Sequence, residues 1–92
     1  MRDFEWDADK NRLNIEKHGV DFELAKEIFE GPVLSRVDDR AEYGEIRMIG
    51  VGALGDRAVL TVVYTERLGS TRLISARPAS QAERKIYYEK TC

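Results

Sequence analysis

Three short segments of this sequence place cationic or acid–base side chains at the predicted ends of helices and strands. The first is Lys17-His18-Gly19, which contains the only histidine of the chain. The dipole of a helix favours cations at its C-terminus, so Lys17 and His18 could hold a phosphate or donate a proton to a leaving oxygen. The alternative is that both side chains only cover the last carbonyls of a helix.

The second segment, Thr65-Glu66-Arg67, follows a run of β-branched residues. Alternation along a strand puts Glu66 and Arg67 on opposite faces of the sheet. Glu66 could act as a general base and Arg67 could bind a phosphate. Alternatively, both side chains pair with cross-strand neighbours such as Arg72.

The third segment is Ser75-Ala76-Arg77-Pro78. Pro78 favours an extended Arg77 at the end of a strand, immediately before a capped helix. A guanidinium next to free helix N–H groups forms an anion pocket, because both offer donors of fixed direction. The alternative is a solvent-facing arginine without a ligand.

A metal site is the weakest candidate. Four carboxylates could gather around Mg²⁺, although their spacing is more typical of a solvated loop: Asp38, Asp39, Glu42 and Glu45. The one cysteine, Cys92, excludes an internal disulfide and a cysteine-based metal site. With neither a signal-like start nor an apolar stretch of membrane length, the sequence predicts a cytoplasmic protein.

The charge distribution points to an anionic partner. The 92 residues predict a single domain, residues 1–92, with a net charge of −2. Thirteen of its seventeen acidic residues lie in residues 1–45, whereas residues 46–92 hold eight basic residues against four acidic ones. This asymmetry favours an anionic ligand for the second half of the chain. Alternatively, the charges only keep a small domain soluble.

The elements that must position these residues begin with helices. Phe4–Trp6 is predicted to be a short strand, and a helix from Ala8 to Lys17 is capped by Asp7 and ended by Gly19. Asp21 begins a second helix that Gly31-Pro32 ends. Its apolar spacing predicts one buried face: Phe22, Ala25, Ile28 and Phe29.

After Pro32, the pattern of hydrophobic residues changes to one that is typical of β-strands. Four are predicted: Val33–Val37, Ile46–Ala53, Val59–Glu66 and Arg72–Arg77. Gly55-Asp56 indicates a two-residue turn, and Leu68-Gly69-Ser70 a longer one. A capping box, Ser80 to Glu83, begins a last helix to about Lys90 that would bury Ala82, Ile86 and either Tyr87 or Tyr88. The predicted fold is α+β, an antiparallel sheet with the helices packed on one face.

From Phe4 to about Glu89, the sequence resembles the BrnT family of toxins. The resemblance rests on Phe4-Glu5-Trp6-Asp7, Lys10, Asn14, Lys17-His18-Gly19-Val20, Phe22, Thr65-Glu66-Arg67, Ile74-Ser75-Ala76-Arg77, Glu83-Arg84, Tyr87 and Tyr88. It implies a RelE-like ribonuclease that arrests growth as the toxin of a type II toxin–antitoxin system. It also implies a BrnA-type ribbon–helix–helix antitoxin, in a heterotetramer that binds operator DNA through the antitoxin.

The residues suit a metal-independent endoribonuclease without a cofactor. The 2′-hydroxyl of RNA can attack the adjacent phosphate if cations stabilise the developing charge. A single histidine excludes a two-histidine acid–base pair. The hypothesis places Arg67 and Arg77 on the phosphate, Lys17 and His18 as charge stabiliser and acid, and Glu66 as base, all converging on one patch. Further RNA contacts are expected from Arg72, Arg84 and Tyr87.

Two other functions remain open. A non-catalytic module that binds a partner or nucleic acid would carry the same arginine-rich strands. A metal-dependent nuclease would instead depend on Asp38 and Asp39, and EDTA would abolish its activity.

Overall fold

A five-stranded sheet organises the protein. The computed structural model describes residues 3–40 and 44–91. The strands are β1 (Asp3–Glu5), β2 (Val33–Val37), β3 (Met48–Leu54), β4 (Ala58–Arg67) and β5 (Ser70–Pro78), in the spatial order β1-β5-β4-β3-β2. The α+β fold class is thereby confirmed, with strand ends that differ from the predicted ones by a few residues.

Within the described residues, three α-helices and one 3₁₀ helix complete the fold. They are α1 (Ala8–His18), α2 (Phe22–Ala25), a 3₁₀ helix (Lys26–Glu30) and α3 (Gln81–Thr91). Asp7 caps α1 by accepting bonds from the backbone N–H groups of Asp9 and Lys10, and Gly19 ends it in the left-handed conformation at φ 71°. The helix predicted to start at Asp21 is therefore a short α-helix that continues as a 3₁₀ helix. None of the helices in residues 3–40 and 44–91 combines the length and apolar character needed to span a membrane.

The sheet is mixed, which corrects the expectation of a wholly antiparallel one. Strands β2 to β5 form an antiparallel meander, but β1 runs parallel to β5, with Phe4 opposite Thr71. More than sixty residues separate β1 from β5, so no tight turn sets their relative direction.

The helices cover both faces of the sheet, and the prediction of one covered face is wrong. The first face, carrying Leu60, Val62 and Tyr64, packs against Val20, Phe22, Ala25 and Ile28. The second face, carrying Val59 and Thr61, packs against α3. Seven consecutive residues of β4 are buried, so both sides of this central strand need a covering layer.

Helix α3 contacts the sheet through Glu83 and Tyr87, which are one turn apart. Tyr87 is buried, and its hydroxyl donates to the carbonyl of Pro32 at 2.8 Å. Tyr88 is half exposed. The expected burial of Ala82 and Ile86 is wrong, since Ala82 is exposed and Ile86 is 50% exposed. The polar side chain of Glu83 faces the sheet instead of Ala82 and Ile86.

Candidate active site

Asn14 joins α1 to the edge of the sheet. Its Nδ2 donates to the carbonyl of Ala76 at 2.8 Å, and its Oδ1 accepts the backbone N–H of Ala76 at 3.1 Å. The same Nδ2 donates to the carbonyl of Val20 at 2.9 Å. Because β1 stops opposite Arg72, the Asn14 amide takes the place that a longer β1 would occupy beside Ala76.

These bonds bring the end of α1 next to the end of β5. Lys17 and His18 occupy the last turn of α1, where the helix dipole attracts cations. Val20 follows two residues later, and its carbonyl shares a donor with that of Ala76. The backbone of the Lys17-His18 turn therefore lies near that of Arg77, whose side chain is directed toward Glu83 of α3 on the second face.

Arg77 is held by a carboxylate from α3. Its Nη1 and Nη2 donate to Oε1 and Oε2 of Glu83 at 2.8 and 3.0 Å. This fork-to-fork pair raises the pKa of Arg77 above its ordinary value, so the guanidinium stays charged. The Arg77 side chain is 42% exposed, which leaves part of the guanidinium open to a ligand.

Glu83 is fully engaged. Besides Arg77, its Oε1 accepts the backbone N–H of Ser80 at 2.8 Å and the Thr61 hydroxyl at 3.0 Å. Ser80 Oγ in turn accepts the N–H of Glu83, which completes the predicted capping box. Hydrogen bonding, mainly from Arg77, lowers the pKa of Glu83 to about 2. Glu83 is thus ionised and positions Arg77. The capping box occupies the backbone N–H groups of Ser80 and Glu83, so these two donors are not free to bind an anion as the sequence predicts.

We call Lys17, His18, Arg77 and Arg84 the basic corner. Arg84 lies in the first turn of α3, and its guanidinium donates to the carbonyl of Ala79 at 3.2 Å. Ala79 is the second residue after Arg77. The charge of Arg40 also reaches this region, since it opposes the raised pKa of Arg77. A guanidinium with further cations nearby can bind a phosphate and stabilise additional negative charge on it.

Glu66 and Arg67 lie at the other end of β4. Arg77 pairs with Thr61 across the sheet, and Arg67 is six residues further along β4, roughly 20 Å away at ~3.3 Å per residue. Glu66 accepts bonds from the Thr71 hydroxyl, whereas Arg67 pairs with Glu45 at 3.0 Å. The structure therefore does not bring all the predicted catalytic residues to one patch.

The expected RNA-binding residues also separate. Arg72 lies opposite Thr65, near the Arg67 end of the β4–β5 ladder, and pairs with Glu5 at 3.0 Å. Arg84 belongs to the basic corner. The hydroxyl of Tyr87 is already bonded within the fold, and Tyr88 is the ring that solvent reaches.

The carboxylates considered for a metal are not gathered in the described part of the chain. In residues 3–40 and 44–91, no three histidine, cysteine, aspartate or glutamate residues form a group that could hold an ion. Asp38 is buried and bound by Arg40 at 2.7 and 2.8 Å, whereas Glu42 lies outside the described residues.

Comparison with known proteins identifies the family. Residues 6–83 match the family model described as the ribonuclease toxin BrnT of type II toxin–antitoxin systems. This chain belongs to the BrnT family. A type II toxin acts with a protein antitoxin, so this BrnT-family ribonuclease toxin has such a partner.

A solved structure agrees with the assignment. The 1.1 Å crystal structure of the Brucella abortus ribonuclease toxin BrnT is similar at a TM-score of 0.66 and 28% identity, covering 88% of this chain and 100% of that one. No curated protein sequence matches this BrnT-family chain.

Sequence reasoning missed the positioning residues of the corner. Asn14 is a poor helix former inside a helix, which is a signal that its amide has a specific bonding role. The sequence identifies Glu83 only as a helix cap, because its contact with Arg77 depends on how α3 packs on the second face.

Proposed function

We propose that this ribonuclease toxin cleaves RNA at the basic corner without a metal ion. The observation that carries the proposal is the position of Arg77, fixed by two hydrogen bonds to Glu83 and adjacent to the Lys17-His18 turn. A guanidinium held in this way needs little reorganisation to receive a phosphate.

The reaction would use the RNA's own 2′-hydroxyl. The 2′-hydroxyl gives its proton to a solvent water as its oxygen forms a bond to phosphorus. The bond from phosphorus to the 5′-oxygen breaks, which leaves a 2′,3′-cyclic phosphate. Arg77 and Lys17 stabilise the charge on the pentacoordinate phosphorus. His18 donates a proton to the departing 5′-oxygen.

Arg72 and Arg67 would bind phosphates away from the scissile bond. Both face the second side of the sheet, in register with Thr65 and Ser70. Their ion pairs with Glu5 and Glu45 are partly exposed, so exchanging these carboxylates for phosphates costs little. At roughly 20 Å from Arg77, the Glu66–Arg67 segment is too distant to share its phosphate, and Glu66 is not assigned as the base.

The partner is proposed to be a BrnA-type ribbon–helix–helix antitoxin. A dimeric antitoxin with two toxins gives a heterotetramer that binds operator DNA through the antitoxin in the cytoplasm. The type II family assignment supports a protein partner, and a basic RNA-binding surface is one that such a partner must cover.

The test is cleavage of purified RNA in EDTA by wild type, Arg77→Ala, Arg77→Lys and Arg12→Ala. We expect Arg77→Ala to lower kcat/KM by roughly 100-fold, with Arg77→Lys in between. Arg12→Ala is the matched control, because Arg12 is an exposed arginine on α1 that pairs only with Asp9 in the described residues.

Each outcome has a distinct meaning. Products ending in a 2′,3′-cyclic phosphate support the mechanism. Full activity of a folded Arg77→Ala variant removes Arg77 from the site. Loss of wild-type cleavage in EDTA identifies a metal-dependent reaction, and RNA binding without cleavage identifies a binding-only module.

A further inference from the structure

We infer that the antitoxin docks as an extended, acidic segment along the open edge of β2. The inference rests on the proposed function only for the identity of the partner, which is the antitoxin of a type II system. The observations that carry it are the pairing of β2, an apolar groove beside it and an arginine on its rim.

The outer edge of β2 offers unpaired backbone groups. Strand β2 is the last in the sheet order, and no strand of residues 3–40 or 44–91 pairs with its outer side. The backbone N–H of Asp38 donates to the carbonyl of Arg47 at 2.8 Å. In an antiparallel ladder, this bond turns the N–H and C=O groups of Val33, Ser35 and Val37 outward. A five-residue edge with three such residues can accept an added strand.

An apolar groove runs beside this edge on the second face. It measures about 290 Å³ and lies between β2, β3 and α3. Its apolar lining consists of Leu34, Ile49, Val51 and Ile86. Ile86 is half exposed and Leu34 only partly buried, so side chains of an added strand would cover apolar surface that the fold leaves open.

The charge at the rim selects an acidic occupant. Arg36 also lines the groove and forms no ion pair with any residue in the described ranges. Arg40 lies three residues after the end of β2, and its side chain pairs with the buried Asp38 but is 66% exposed. A second copy of this chain would bring its own Arg36 to the same rim, whereas an acidic segment would complement it.

Such a segment would also explain neutralisation. Glu83 lines the groove and is bonded to Arg77, so the docked segment would end beside the basic corner. It would cover the approach of RNA without replacing a catalytic side chain.

The experiment compares Ser35→Pro with Ser35→Ala. Both variants lose the hydrogen bond between the hydroxyls of Ser35 and Tyr64, but only Ser35→Pro loses the outward N–H. Proline is tolerated at an edge position whose N–H faces away from the sheet. Affinity is measured by calorimetry with the purified cognate antitoxin protein. We expect Ser35→Pro to weaken binding by roughly tenfold or more, and Ser35→Ala to remain within about threefold of wild type.

A second measurement does not depend on a variant. In wild-type protein, the amide protons of Ser35 and Val37 should exchange rapidly when free and slowly in the antitoxin complex, as observed by NMR. Wild-type affinity of Ser35→Pro, or unchanged exchange of both amides, would overturn the proposal. So would self-association of the wild type that Ser35→Pro abolishes, because a second copy would then occupy the edge.

RNA cleavage by each variant is measured separately. Absence of cleavage in wild type and variants alike would refute the proposed ribonuclease mechanism, while the affinity and exchange results would still decide the docking surface.

Discussion

Asn14 and Ala76 exchange two hydrogen bonds of the kind that adjacent strands exchange, although Asn14 lies in a helix and uses its side chain. The bonds occupy the backbone N–H and C=O of Ala76, in the part of β5 that has no pairing with β1. They also hold the Lys17-His18 turn next to Arg77. One buried amide thus protects a sheet edge and assembles the basic corner.

The first prediction concerns this amide. Replacing Asn14 by Ala leaves the N–H and C=O of Ala76 and the C=O of Val20 without their partner. We expect the free energy of unfolding to fall by about 2–4 kcal/mol, measured by urea denaturation. Leu13→Ala, at an exposed position of the same helix, should change it by less than ~1 kcal/mol. Equal losses in the two variants would contradict the proposed role.

The second prediction concerns acid stability. The pKa of Glu83 is lowered to about 2 from 4.5, so folding is favoured by its ionised form. This contribution is complete above pH 4.5 and is lost as the pH falls from 4.5 toward 2. We expect it to amount to roughly 2 kcal/mol.

Glu83→Gln is the matched variant for that measurement. It keeps the size of the side chain but removes the charge, so its unfolding free energy should show less dependence on pH between 5 and 2, as measured by urea titrations. An unchanged slope in this interval would mean that Glu83 does not carry the acid sensitivity.

The third prediction concerns the contact of the 3₁₀ helix with β3. A Cβ added at Gly52 would lie 2.8 Å from the Cβ of Ile28, which is fully buried. Gly52→Ala should therefore destabilise the protein by about 1–3 kcal/mol in thermal or urea unfolding. Gly31→Ala has open space around the added atom and should stay within ~0.5 kcal/mol of wild type. If Gly52→Ala is equally neutral, the packing of Ile28 on β3 is looser than described.

The fourth prediction concerns the β4–β5 turn. Leu68 has φ 46° and is fully exposed, and Gly69 follows with φ 87°. Asparagine adopts this left-handed conformation more readily than leucine, so Leu68→Asn should raise stability by about 0.5–1 kcal/mol. Gly69→Ala should lower it, because alanine strains the same turn. Calorimetric melting temperatures that move in the opposite directions would contradict this assignment.

Much of the fold follows from local signals. Asp7, Gly19 and the Ser80–Glu83 box act at the predicted helix ends because capping depends on neighbouring residues. The parallel pairing of β1 and the placement of α3 on the second face were not predictable in this way. Both depend on contacts between residues far apart in the chain, and the polar Glu83 faces inward where an apolar period suggests Ile86.

The residue types proposed for the candidate site stay a prediction, whereas their arrangement is set by contacts that the sequence does not reveal. The Lys17-His18 turn lies near the backbone of Arg77 because of the Asn14 amide, whose partners no periodicity reveals. Glu66 and Arg67 were grouped with them by chemistry alone. The pairing register, which places Arg67 opposite Ser70 and Arg77 opposite Thr61, separates them.

The basic corner draws its parts from both termini of the polypeptide, since α1 precedes the meander and β5 and α3 follow it. During synthesis from the N-terminus, Lys17 and His18 emerge long before Arg77 and Glu83. A nascent or C-terminally truncated chain therefore lacks an assembled basic corner. The proposed site is therefore complete only when synthesis of the chain is almost finished.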